Sequence, residues 1–271
     1  MSNGLLEKVE HAWFPKTTCD DQCVGPGHAD SVVRVAIRST WRIFAAAAVF
    51  LALPVLTIPL PGRSGLQRRY CRLFLRCLGV RINQSGNPIR NLSGVLVVSN
   101  HTSWVDVFAL GAVLPGSFVA RADLMDWPAI GPAVRMVGVI PIERRSLSQL
   151  PPVVEAVTQR LREGRTVVAF PEGTTFCGRH NGRFRPAVFQ AAVDSGRPVQ
   201  PVCLAYRHGD GRPSTVAAFF GDDRLWASVK RTVGARATVV DLTVGSLQLP
   251  GPSRRELAAR CEVALRSQVP A

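Results

Sequence analysis

Gly94-Val95-Leu96-Val97-Val98-Ser99-Asn100-His101-Thr102-Ser103-Trp104-Val105-Asp106 passes from an apolar run straight into a polar one. Val95 to Val98 have the unbroken aliphatic character of a strand buried on both faces. Val105 to Leu114 then reads as a helix. On one continuous helix His101 and Asp106 would lie about 500° apart, a net 140°, and face different ways. They meet if His101 ends the strand, Ser103 caps the helix and Asp106 sits in its first turn. The carboxylate then orients one ring nitrogen and leaves the other as a base. A purely local reading stands beside this one, because Ser103-x-x-Asp106 is also a capping box.

A second apolar run, Thr166–Phe170, leads into Phe170-Pro171-Glu172-Gly173-Thr174-Thr175. Such a loop offers backbone N–H groups to an anion at a strand's carboxyl end, where open α/β sheets gather their ligands. Two polar loops at the ends of parallel strands share one edge of the sheet. Further strands are expected at Ser117–Ala120, Val137–Ile142, Pro198–Tyr206, Thr215–Phe220 and Ala237–Val244. Helices are expected at Leu147–Glu163, Phe184–Asp194 and Ser253–Ser267. The alternation predicts an α/β fold, a mostly parallel central sheet flanked by helices, over residues 81–271.

Ahead of that domain the chain changes character. Residues 1–40 read as a polar, irregular arm and residues 41–80 as a membrane-associated helical segment. Ile43–Leu60 carries no charge, and the stretch from Trp41 just reaches the ~20 residues needed to cross a bilayer. Pro54, Pro59 and Pro61 crowd its second half, and arginines flank both sides: Arg34, Arg38 and Arg42 before, Arg63, Arg68, Arg69, Arg72 and Arg76 after. This symmetry opposes a positive-inside span and fits a segment that dips into one leaflet. Leu66–Val80 places Leu66, Tyr70, Leu73, Phe74, Cys77 and Leu78 at helical spacing, the pattern of an interfacial amphipathic helix.

The net charge of +14 comes from 33 Lys and Arg against 19 Asp and Glu. Nucleic acid and an anionic lipid surface both fit that excess. With aromatics at 7% and no stacking or zinc-finger pattern, nucleic acid is excluded and the membrane retained. The seven cysteines are odd in number and scattered, as in a reduced cytosolic protein. Cys19 and Cys23 invite a metal site with His11 and His28. The plainer expectation is loose thiols with no metal, and for Cys177, whose place beside the second motif invites a covalent mechanism, a small buried or loop thiol.

The two loops also carry a resemblance. Asn100–Asp106 resembles the His-x4-Asp motif of the lysophosphatidic acid acyltransferase family of glycerolipid acyltransferases, and Phe170–Thr174 its Phe-Pro-Glu-Gly-Thr motif. Ile140-Pro141-Ile142-Glu143-Arg144 and Pro198–Val202 are similar to its remaining blocks. The resemblance implies transfer of a fatty acyl group from a thioester to a lysolipid hydroxyl, first of all 1-acyl-glycerol-3-phosphate. It implies His101 as general base and Asp106 as the residue that orients it. Arg144 and the Glu172-Gly173-Thr174 loop would bind the acceptor's phosphate, with Arg121 a further candidate. No cofactor is implied; acyl coenzyme A or acyl carrier protein enters as substrate. The membrane lipid acceptor would be met at the cytoplasmic face of the cell membrane.

One departure bears on the acceptor. Many relatives carry arginine where this chain has Thr175, and Phe170–Thr175 followed by Phe184–Ala192 resembles the subgroup that includes the lyso-ornithine-lipid acyltransferases. Another lysolipid such as lyso-ornithine lipid is therefore the alternative acceptor. A non-catalytic basic membrane-binding protein on this scaffold is a second alternative, opposed by an intact His101 and Asp106.

Overall fold

In the computed structural model, residues 14–25, 30–54, 63–87, 94–127, 131–144, 146–221 and 223–268 are described. Helices α1 (Val32–Leu51) and α2 (Arg63–Cys77) precede strand β1 (Val80–Gly86). Then come β2 (Leu96–Ser99), α3 (Val105–Gly111), β3 (Ser117–Arg121), α4 (Gly131–Met136), β4 (Ile140–Ile142), α5 (Leu150–Arg162) and β5 (Val167–Ala169). The chain closes with α6 (Phe189–Ser195), β6 (Val199–His208), α7 (Leu225–Gly234), β7 (Thr238–Val244) and α8 (Arg254–Arg266). The strands form one sheet in the order β1-β7-β6-β2-β5-β3-β4. Every neighbouring pair is parallel except β6–β7.

Alternation along β2 explains why that strand is central. Val95 and Val97 join the core under α2, α3 and α7, while Leu96 and Val98 join the core under α5, α6 and α8. A strand buried on both faces needs apolar side chains at every position, and this one has them. The mostly parallel sheet between two helical layers is the architecture read from the sequence.

Several local expectations are corrected. Thr215–Phe220 is not a strand: its backbone serves a loop, with Phe219 N–H donating to the Thr102 carbonyl at 2.9 Å, although Ala217, Ala218 and Phe220 are buried. Burial without a neighbouring strand produces the same apolar run. The helix expected from Phe184 begins only at Phe189, because Arg185 N–H bonds the Pro171 carbonyl at 2.9 Å instead. The strand expected at Val137–Ile142 is confined to Ile140–Ile142. β1, whose VRINQSG sequence is largely polar, was not foreseen. It is recruited by parallel pairing with β7 at the sheet's edge.

The amino-terminal helices differ from their reading most. α1 starts at Val32, straddling the boundary drawn at residue 40. Arg38 and Arg42 do not flank a membrane segment as free charges. They donate to the Gly234, Val233, Ala235 and Arg236 carbonyls at the end of α7, where cations meet the unsatisfied carbonyl end of a helix. The Arg42 guanidinium lies against Gly79, where any Cβ would collide with it at 2.1 Å. The apolar face of α2 is likewise turned inward: Tyr70, Phe74, Leu75 and Leu78 are buried in the core, leaving only Leu73 strongly exposed. An amphipathic period tells that a helix has an apolar side, not what that side meets. No helix among the described residues is long and apolar enough to cross a membrane.

Candidate active site

Four adjacent parallel strands, β2, β5, β3 and β4, end on one edge of the sheet. Their carboxyl ends lead respectively to His101, the Glu172-Gly173-Thr174 loop, Arg121 and Arg144. Residues far apart in the chain thus come to one edge through strand order.

The His101 loop is held from several sides. Both amide atoms of Asn100 bond the Leu204 backbone of β6 at 2.8 Å. The His101 carbonyl accepts from Phe176 N–H at 2.8 Å. Nδ1 of His101 lies 2.8 Å from Oδ2 of Asp106, and the imidazole stacks on Phe170 with ring centroids 3.9 Å apart. Asp106, on the first turn of α3, is wholly buried. Its Oδ2 also accepts from the N–H groups of Thr102 and Ser103 at 2.7 and 2.8 Å. The bond from Ser103 N–H is the carboxylate half of a capping box; the serine half is not made, because Asp106 N–H bonds the Ser103 carbonyl at 3.1 Å and the helix carries no side-chain cap. The Tyr206 hydroxyl donates to Oδ1. Burial first, then the Asp106 charge, raises the Tyr206 phenol well above its ordinary range and keeps it a donor. Nε2 of His101 makes no hydrogen bond to a described residue and opens on the cleft. A tautomer fixed at Nδ1 and a bare Nε2 is the arrangement of a general base.

Glu172 stands elsewhere than its expected role requires. It is buried, with Oε2 accepting from His101 N–H at 2.8 Å and Oε1 from Gly182 N–H at 2.9 Å. Burial pushes its carboxyl up to about 8, against those two donors, which pull it down. Its carboxyl group ties the His101 and Gly182 loops together and is not among the groups that line the cleft. Gly173 and Thr174 do line the cleft. Gly173 has φ 78° and would bring a Cβ to 3.1 Å from Pro15 and 3.3 Å from Arg185. A side chain there is opposed by both backbone and neighbours.

The basic candidates separate. Arg121 is exposed and engaged by Asp123, with Nε 2.8 Å from Oδ1. Arg144 is half-buried and makes no hydrogen bond to a described residue. Desolvation pushes its pKa down to about 10, the charges of Arg121 and Arg185 adding to the effect, so it remains a cation at neutral pH. A guanidinium in this state is a ready anion partner. The surrounding cleft is about 2370 Å³, well beyond the ~300–1,000 Å³ of small-molecule pockets. One wall is apolar, from Ile43, Ala46 and Phe50 of α1 to Tyr70 and Phe74 of α2. Arg121, Arg144, Arg185 and Arg224 also line the cleft.

Sequence reading missed Tyr206, which only the pairing of β6 beside β2 brings to Asp106. The His11 and His28 expected as partners of Cys19 and Cys23 lie outside the described residues; Cys177 and His180 stand beside these two cysteines.

Residues 81–205 match the family model described as Acyltransferase. The lyso-ornithine lipid O-acyltransferase of Pseudomonas aeruginosa is 33% identical over 208 residues, 76% of this chain and 79% of that one. The 1-acyl-sn-glycerol-3-phosphate acyltransferase of Neisseria gonorrhoeae is 39% identical over 120 residues, 44% of this chain and 47% of that one. Among solved structures, the 1-acyl-sn-glycerophosphate acyltransferase of Thermotoga maritima superposes with a TM-score of 0.63 at 19% identity, covering 88% of this chain and 95% of the other. That last likeness concerns the fold alone.

Proposed function

This chain belongs to the acyltransferase family, and we propose that the acceptor it acylates is lyso-ornithine lipid. The protein is an enzyme that transfers an acyl group from a thioester to a lysolipid hydroxyl. The extent of likeness carries the choice of acceptor: the lyso-ornithine lipid enzyme matches over 76% of this chain, the glycerol-phosphate enzyme over 44%. Thr175, where an arginine would serve a phosphomonoester, supports the same choice. Lysophosphatidate is the second reading, favoured by the 39% identity of the shorter match and by an Arg144 suited to any anionic head group.

His101 Nε2 takes the proton of the acceptor hydroxyl as that oxygen forms its bond to the thioester carbonyl. Asp106 holds the ring by Nδ1 and offsets the imidazolium charge. Collapse of the tetrahedral adduct breaks the carbon–sulfur bond, and the proton on Nε2 passes to the departing sulfur. No enzyme nucleophile is needed. Arg144 receives the acceptor's anionic head group, a carboxylate or a phosphate.

The acceptor is reached at the cytoplasmic face of the cell membrane. Val33, Ile37, Trp41, Phe44 and Leu51 form an exposed apolar stripe along one side of α1, at helical spacing. The inward side of the same helix walls the cleft. A helix with bilayer on one side and cleft on the other suits a lipid substrate.

Thiol release should be followed with full-length protein, acyl coenzyme A or acyl carrier protein, and lyso-ornithine lipid beside lysophosphatidate. The proposal expects turnover on lyso-ornithine lipid to exceed that on lysophosphatidate. The reverse order assigns the second reading, and turnover on neither removes both.

A further inference from the structure

We propose that Cys19, Cys23, Cys177 and His180 bind a structural zinc ion that fastens the segment at residues 14–25 over the active-site loops. The four groups come from two regions more than a hundred residues apart, yet their ligand atoms all lie within 4.8 Å of one another. Cys177 Sγ is 3.6 Å from His180 Nδ1. The Cys177 N–H donates to Cys19 Sγ at 3.2 Å, an orienting bond to a sulfur of the kind that outer-shell groups supply to ligands.

Donor type and spacing select the ion. Three cysteines and one histidine form a closed tetrahedral set for zinc, and neither magnesium nor calcium favours sulfur. Zinc–sulfur bonds of ~2.3 Å place tetrahedral sulfurs about 3.8 Å apart, so these groups need to close by no more than about an ångström. A two-iron cluster would hold its ligands farther apart than they stand. Four protein ligands leave no open position, which makes the ion structural and not a catalyst.

The local backbone is built for convergence. A short 3-10 turn, Asp21–Cys23, with Cys23 N–H bonded to the Asp20 carbonyl at 2.9 Å, returns Cys23 toward Cys19. Cys19-x3-Cys23 lies within the usual range for the first ligand pair. On the other side Gly178, at φ 86°, reverses the chain so that His180 folds back on Cys177. Phe176, Ala218 and Phe220 pack with Cys19 and Cys177 into a small apolar cluster that shields the sulfurs. Loose thiols need none of this, and a disulfide between two of them leaves His180 unexplained.

The consequence reaches the active site. Phe176, next to Cys177, donates to the His101 carbonyl, and Pro15 lies against the position of Gly173. Phe14 to Thr17 line the cleft. The ion would thus anchor one wall of the substrate cleft without touching the reacting atoms.

Zinc content of the full-length protein, purified with a tag free of histidine and under reductant, tests this without any activity assay. About one zinc per chain should survive dialysis against a weak chelator. Cys19→Ser and Cys177→Ser should lose it, while Cys203→Ser, buried outside the cluster, should keep it. If the serine variants fail to fold, the unaltered protein from cobalt-supplemented cells should show the absorption of tetrahedral, thiolate-bound Co²⁺. Stripping the ion should also open the segment near Cys19 to protease. Metal-free protein, zinc well below one per chain that dialysis removes, an iron chromophore, or a native Cys19–Cys177 disulfide would each overturn the proposal. Acyl transfer would stand in all these cases.

Discussion

The Tyr206 hydroxyl donates to Oδ1 of Asp106 across 100 residues of chain. It completes a set in which one buried carboxylate accepts from a phenol, two backbone N–H groups and the imidazole of His101. Asp106 therefore has two duties, holding the base and holding the loop, and substitutions separate them.

His101→Ala removes the base, and with it one of the four donors on Asp106 and the stack on Phe170. Turnover should fall by ~10²–10⁴-fold, with a smaller loss of thermal stability than Asp106→Asn, because three donors on the carboxylate remain. Asp106→Asn should lose comparable activity and also about 1–3 kcal/mol of stability, because an amide nitrogen cannot accept from the donors around it. Calorimetry beside kinetics reads the difference; equal melting temperatures for the two variants would contradict the double role.

Tyr206→Phe deletes only the hydroxyl. As a positioning residue it should lower kcat by about tenfold, the worth of one charge-assisted hydrogen bond, with KM for both substrates held. A rise in KM with kcat intact would place Tyr206 in substrate binding instead.

Glu172 links stability to pH. With its carboxyl raised from 4.5 to about 8 in the folded protein, it keeps a proton that the unfolded chain releases above about 4.5. This group alone therefore makes stability fall as pH rises from about 5 to about 8. Glu172→Gln cannot ionise, so the melting temperature of the natural protein should drop relative to the variant across that window. Parallel curves would mean that Glu172 is ionised throughout.

Arg144→Ala should raise KM for the acceptor well above any effect on the acyl donor. Arg144→Lys should rescue in part only, since a point charge does not reproduce the guanidinium fork. Equal effects on both substrates would move Arg144 out of the acceptor site.

The two sides of α1 should respond differently. Trp41→Glu with Phe44→Glu changes side chains that are 74% and 70% exposed. It should reduce partition onto anionic vesicles while leaving the melting temperature in place. Arg42→Gln should lower the melting temperature by loosening the α7 carbonyls, with a smaller loss of vesicle binding. Unchanged partition of the double variant would remove α1 from the membrane surface.

The strand ends at His101 and Phe170 were legible in the sequence because each rests on local chemistry: an aliphatic run buried on both faces, then polar loop residues at fixed spacing. The pairing of His101 with Asp106 was one of two local readings of that stretch, since five residues are short enough for one turn to close but also spell a capping box; the second loop and the family resemblance favoured it, and the structure shows the contact. Tyr206, the inward turn of Glu172 and the meeting of Cys19 with Cys177 depend on which strands and segments become neighbours. That order is chosen by burial summed over the whole sheet, and no window of sequence contains it. The arginines of α1 and the apolar face of α2 show the same limit from the other side. Their periodicity is a local property, but whether it meets lipid, a helix end or the core was decided only when α7, α3 and the sheet came into place.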